Sequence, residues 1–71
     1  MSAYAVIIEG EQGSYSAYVP DLPGCVATGR TVEQAEERIR DAIRLHIDSL
    51  RSHGELVPKS STAAVRLVDV A

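Results

Sequence analysis

One stretch of this chain leaves few options for the rest: Val32, Ala35, Ile39, Ala42, Ile43, Ile47 and Leu50 recur at helical spacing and form a single apolar stripe. The hydroxyl of Thr31 can cap a helix that begins at Val32, with Gln34 reaching back in capping-box fashion. Glu33, Glu36 and Glu37 sit near the positive end of the helix dipole and Arg51 and His53 near the negative end, while Gly54 and Pro58 supply a stop. The spacing predicts a helix from Val32 to Ser52. Its stripe needs an apolar surface to lie on.

The flanking segments supply strands. Ala3 to Glu9 is β-branched or aromatic, with Tyr4, Val6 and Ile8 on one face and Ala5, Ile7 and Glu9 on the other. Gly10-Glu11-Gln12-Gly13 reads as a turn and Ser14 to Val19 as the returning strand. Pro20 ends that strand, because it has no N–H for a sheet ladder, and Asp21-Leu22-Pro23-Gly24 has turn chemistry throughout. A short strand follows from Cys25 to Thr28, and after the helix Ala64 to Val70 alternates as a final strand. The predicted order is βββαβ. A right-handed crossover would place the last strand beside the first, in a mixed four-stranded sheet of order 3-2-1-4 with the helix on one face, an α+β fold. The second face of that sheet has no cover, which makes it and the edge strands association surfaces.

With 71 residues the expectation is a single domain over 1–71, and a chain this size buries only about 60% of the surface it exposes unfolded. Aromatics are 4% of the residues, three Tyr with no Trp or Phe, so the core is aliphatic and thin. The single Cys cannot close an intrachain disulfide, which leaves self-association, as a dimer or larger, as the expected remedy. The lone thiol, the lack of a signal peptide and the lack of an apolar run near the ~18 residues of a membrane span predict a cytoplasmic protein with no membrane partner. A net charge of −3 gives no electrostatic reason to bind nucleic acid directly.

The residue types that can carry chemistry have plainer roles in this pattern. His46 and His53 lie seven residues apart, about 10 Å along a helix axis, too far to share one ion, so no metal is expected. Cys25 has no neighbouring base and reads as a buried thiol. The carboxylates form no recognisable constellation; Glu36 with Arg40 and Arg44 with Asp48 read as i,i+4 pairs on a solvated helix face. Gly10, Gly13, Gly24 and Gly29 belong to turns rather than to a phosphate loop or dinucleotide fingerprint. Acidic neighbours interrupt the row of Arg38, Arg40, Arg44 and Arg51, and no aromatics are interleaved for base stacking. Neither a catalytic residue nor a cofactor is expected.

The run Tyr15-Ser16-Ala17-Tyr18-Val19-Pro20-Asp21-Leu22-Pro23-Gly24-Cys25, followed by Gly29-Arg30-Thr31-Val32-Glu33-Gln34-Ala35, resembles the signature of the HicB-like antitoxins of bacterial toxin–antitoxin systems. The terminal Val65-Arg66-Leu67-Val68-Asp69-Val70 fits as well, so the resemblance extends across nearly the whole chain. It implies a partial ribonuclease H-like fold without that fold's catalytic carboxylates. It also implies a partner: a HicA toxin, a small ribonuclease of double-stranded-RNA-binding-domain shape that uses a His to cleave messenger RNA and is neutralised by occlusion. Many members carry a C-terminal DNA-binding domain, and the chain, ending at Ala71, reads as a short member without one.

The leading expectation is therefore a non-enzymatic antitoxin-like protein that covers the active site of a HicA-like toxin. The alternative is an orphan homo-oligomeric or small-ligand module of the same fold with no toxin partner, and a third reading is a degenerate nuclease, which would need acidic side chains converging on a sheet edge. Expected partner-facing residues are Tyr18, Pro20, Asp21, Leu22, Pro23 and Gly24, in and beside a bend that is rigid and surface-directed.

Overall fold

A computed structural model describes residues 3–71, so the first two residues of the expected 1–71 unit lie outside the described residues. Three strands precede one helix: β1 (Ile7–Glu11), β2 (Ser14–Tyr18), β3 (Val26–Gly29) and α1 (Val32–Ser52). The strands form one antiparallel sheet in the order β1-β2-β3, with Ile7 opposite Tyr18 and Tyr18 opposite Val26. The α+β class and the first four elements agree with the sequence reading.

The strand ends follow from their partners. β1 begins at Ile7 rather than at Ala3, because β2 stops at Tyr18 and leaves the residues before Ile7 nothing to pair with. Its far end runs through Gly10 to Glu11, which pairs with Ser14 across the two-residue turn Gln12-Gly13, shorter than the four residues expected. Gly10 is obligatory there: at φ 128° a Cβ would meet the Ser14 carbonyl oxygen at 2.2 Å. β3 starts one residue later than expected because the Cys25 N–H is engaged in the preceding bend, donating to the Leu22 carbonyl at 3.1 Å.

The helix runs from Val32 to Ser52 as its stripe predicts. Thr31 Oγ1 accepts from the Gln34 N–H at 3.0 Å, and Gln34 Oε1 accepts from the Arg30 N–H at 2.7 Å, one residue earlier than in the usual box. Gly54, at φ 70°, ends the helix by donating to the Arg51 carbonyl. The helix lies on one face of the sheet, chiefly over β3 and β2 and least over β1. Gly29 permits this approach, since a Cβ there would sit 2.6 Å from the Ala35 nitrogen.

The core is as thin as the composition implies. Among the described residues its buried members are Ala17, Val19, Leu22, Cys25, Ala35 and Ile39, of which only Leu22 and Ile39 are large and fully enclosed. Tyr4, Val6, Ile8, Tyr15, Ala27, Ala42 and Ile43 pack around them half-buried. Burial along the helix stripe falls off from N- to C-terminus: Ala35 and Ile39 are buried, Ile43, Ile47 and Leu50 half-covered, and Val32 remains exposed ahead of the sheet.

Three expectations are corrected. Ala64 to Val70 forms no strand, and the sheet has neither the fourth member nor the order 3-2-1-4, so the ribonuclease H-like arrangement is not adopted. Val65 and Leu67 do alternate with Arg66, and Val68 and Val70 fall on the second face, but an isolated strand pattern needs a neighbouring edge, and in the single chain this segment reaches none; Leu67 is fully exposed. Arg44 pairs with Asp41 at 3.7 Å, not with Asp48, consistent with the weaker i,i+4 geometry when the base precedes the acid. The expected Glu36–Arg40 pair is present at 3.1 Å.

Candidate partner-binding surface

Because α1 covers one face of the sheet, the residues that alternate away from it form the other face. The ladder aligns Ile7, Tyr18 and Val26 in one row across all three strands. Tyr18 and Val26 are 39% and 66% exposed. The next row, Glu9, Ser16 and Thr28, is exposed and polar. An apolar band thus crosses the open face at the end nearest the bend, and a polar band lies beside it. An exposed Tyr flanked by aliphatics offers a rigid, amphipathic contact of the sort enriched at the centres of interfaces.

The bend closes the apolar band. Residues 19–25 are held by two tight backbone bonds, Leu22 N–H to the Val19 carbonyl and Cys25 N–H to the Leu22 carbonyl, each 3.1 Å. Leu22 is fully buried and anchors the bend to the core, which removes it from the set of residues a partner can touch. Pro20, Pro23 and Gly24 are exposed, so they and Tyr18 are the expected site residues that present a surface.

Asp21 is committed within the chain. Its Oδ1 accepts from Ser61 Oγ at 2.8 Å, and its Oδ2 accepts from the backbone N–H groups of Ser61 and Thr62 at 3.0 and 3.2 Å and from Thr62 Oγ1 at 3.0 Å. The bonds to Ser61, reinforced by those to Thr62, hold the Asp21 carboxyl below its ordinary value of 3.8. The Tyr4 hydroxyl donates to the Pro58 carbonyl. The segment after the helix is therefore tied first beside β1 and then to the bend. Ser61 and Thr62 carried no signal in the sequence, because their partner lies some forty residues away and the loop around them has no pattern that points to it.

The remaining chemical candidates lie apart. Burial pushes the Cys25 thiol up from 9.0, which keeps it protonated at neutral pH. His53 caps the helix end, its Nδ1 2.7 Å from the Ser49 carbonyl, while His46 sits half-buried on the stripe. Among the described residues no three His, Cys, Asp or Glu side chains group as a metal site would require, and no helix is long and apolar enough to cross a membrane.

Comparison with known proteins gives a consistent result. Residues 4–69 match the family model described as the HicB_like antitoxin of bacterial toxin-antitoxin systems. A UPF0150 protein of Thermoplasma acidophilum is 41% identical over 63 residues, covering 87% of this chain and 91% of that relative. A UPF0150 protein of Synechocystis is 44% identical over 57 residues, 79% of this chain and 72% of the relative. An uncharacterized 14.9 kDa protein of Haemophilus phage HP1 is 36% identical over 58 residues, but those span only 44% of its length.

Proposed function

The chain belongs to the HicB-like antitoxin family, and from that premise we propose that it binds and neutralises a HicA-type, messenger-RNA-cleaving toxin by covering the toxin's active site. It does so as a binding protein, without catalysis or cofactor, in the cytoplasm where such a toxin meets its substrate, and as a self-associated assembly. The whole chain acts as one such domain.

The observation that carries this reading is the open sheet face: the row Ile7, Tyr18 and Val26, ending against the exposed Pro20, Pro23 and Gly24, is an apolar surface on rigid elements with no element laid over it among the described residues. Such a surface costs little ordering entropy to present. The net charge of −3 suits a basic RNA-cleaving partner by steering the encounter.

The first test is capture from the native host with tagged protein, followed by an RNA-cleavage assay on whatever co-purifies. A small basic ribonuclease that the protein inhibits supports the antitoxin reading; recovery of the chain alone supports the orphan oligomeric module. With the toxin in hand, Tyr18→Ala is expected to weaken inhibition by roughly 2 kcal/mol, about thirty-fold, as for an interface hot spot. Its melting temperature should stay near that of the parent, because Tyr18 faces away from the core. Unchanged inhibition would remove the open face from the interface.

A further inference from the structure

Between the free edge of β1 and the C-terminal half of α1 lies an open groove of about 970 Å3. Its floor includes Val6, Ile8, Ile39, Ile43 and Ile47, and Arg40 and Asp48 are on its rim. β1 has a strand neighbour on one side only, and α1 overlies it least, so this is where the core is incomplete: Ile43 and Ile47 are left half-covered. The chain also carries a segment with the complementary deficiency. Residues 64–70 alternate as a strand does, and Val65, Leu67, Val68 and Val70 are 50%, 102%, 75% and 91% exposed. At about 3.3 Å per residue that segment extends roughly 23 Å. The eight residues from Tyr4 to Glu11 span a comparable length.

The segment does not reach its own groove. The Tyr4–Pro58 bond holds the returning chain beside the start of β1, and the four bonds from Ser61 and Thr62 to Asp21 then carry it across the foot of the sheet to the bend between β2 and β3. Residues 63–71 follow from there, exposed and without a glycine, and none of them lines the groove. We propose that these residues lie in the β1–α1 groove of a second copy of this chain, so that two copies exchange their C-terminal segments. The exchange is reciprocal and closed: each copy's tail covers the β1 edge of the other, so both tails and both grooves are used within one pair. The proposal specifies the self-association in the functional reading above and rests on that part of it.

The test compares the full chain with a variant ending at Ala63, using sedimentation equilibrium at tens of micromolar without any toxin. The full chain is expected to be a dimer and the shortened chain a monomer with unchanged helical circular dichroism. Should the shortened chain unfold, Leu67→Glu gives the same readout, since Leu67 is fully exposed within a single chain and its replacement leaves that chain's core intact; the expected mass is again that of a monomer. A monomeric full chain, or a dimer that survives Leu67→Glu, overturns the exchange. Toxin inhibition is measured separately: a dimeric full chain that fails to inhibit counts against the antitoxin reading and leaves the exchange standing, and a monomeric full chain that inhibits counts against the exchange while the antitoxin reading stands.

Discussion

Asp21 shows how one side chain governs a segment far from it in the chain. Its carboxylate receives two backbone and two hydroxyl donors from Ser61 and Thr62, so the path of the chain after the helix depends on its charge. Its folded-state pKa lies below the ordinary 3.8, which sets the sign. The contribution is fully present above pH 3.8 and is lost as pH falls below that value through the lowered one. Amide exchange at Ser61 and Thr62, corrected for the intrinsic effect of pH, is expected to rise towards that of free chain in this acid window. Asp21→Ala should produce the same release at neutral pH while the Ala17 and Ile39 amides keep their protection. Equal protection of Ser61 and Thr62 in parent and variant would show that the clamp does not hold the segment. Leu22 teaches a related lesson. It belongs to the same Pro-Asp-Leu-Pro-Gly bend as the exposed prolines, yet it is fully buried, so a motif that reads as one surface patch divides between core and solvent one residue at a time.

Among the elements, α1 is unevenly committed. Its first half meets the sheet where Gly29 allows close approach, and its second half overhangs β1. Ile39→Ala is therefore expected to cost about 2–5 kcal/mol, since a 1% exposed side chain leaves a cavity behind. Ile43→Ala, at a half-covered position, should cost clearly less in the separated monomer. Denaturant midpoints measured with unchanged slopes check this, and equal losses at the two positions would show that the second half is covered as well as the first. The helix was legible in the sequence because everything that defines it is local: Thr31 with Gln34, the stripe, and Gly54. The first three strands were legible for the same reason, although their ends shifted with the pairing, since β1 can extend only as far as β2 accompanies it.

In the whole molecule, the small core and the exposed tail are one problem. Among the described residues only Leu22 and Ile39 are large, fully enclosed side chains, and a fully buried Leu or Ile contributes roughly 1.5–3 kcal/mol, which leaves a narrow margin against chain entropy. If copies complete one another's groove, unfolding is coupled to dissociation. The melting temperature should then climb with protein concentration across a hundred-fold range. A melting temperature independent of concentration would show that the single chain is the folding unit. The open sheet face belongs to this scale too. Alternation indicates which residues point outward, but only the register aligns Ile7, Tyr18 and Val26 into a single band.

By itself the sequence determined the helix and its caps, the hairpin, the rigid bend, the family, and a core too small to be comfortable alone, because each of these follows from residue type at short range. Tertiary structure alone decided that Asp21 binds Ser61 and Thr62, that Leu22 turns inward while its neighbours stay exposed, and that Ala64 to Val70 joins no sheet within the chain. The physical reason is that a strand pattern states a capacity to pair, whereas pairing requires an edge within reach, and reach is set by where the preceding segment is tied down.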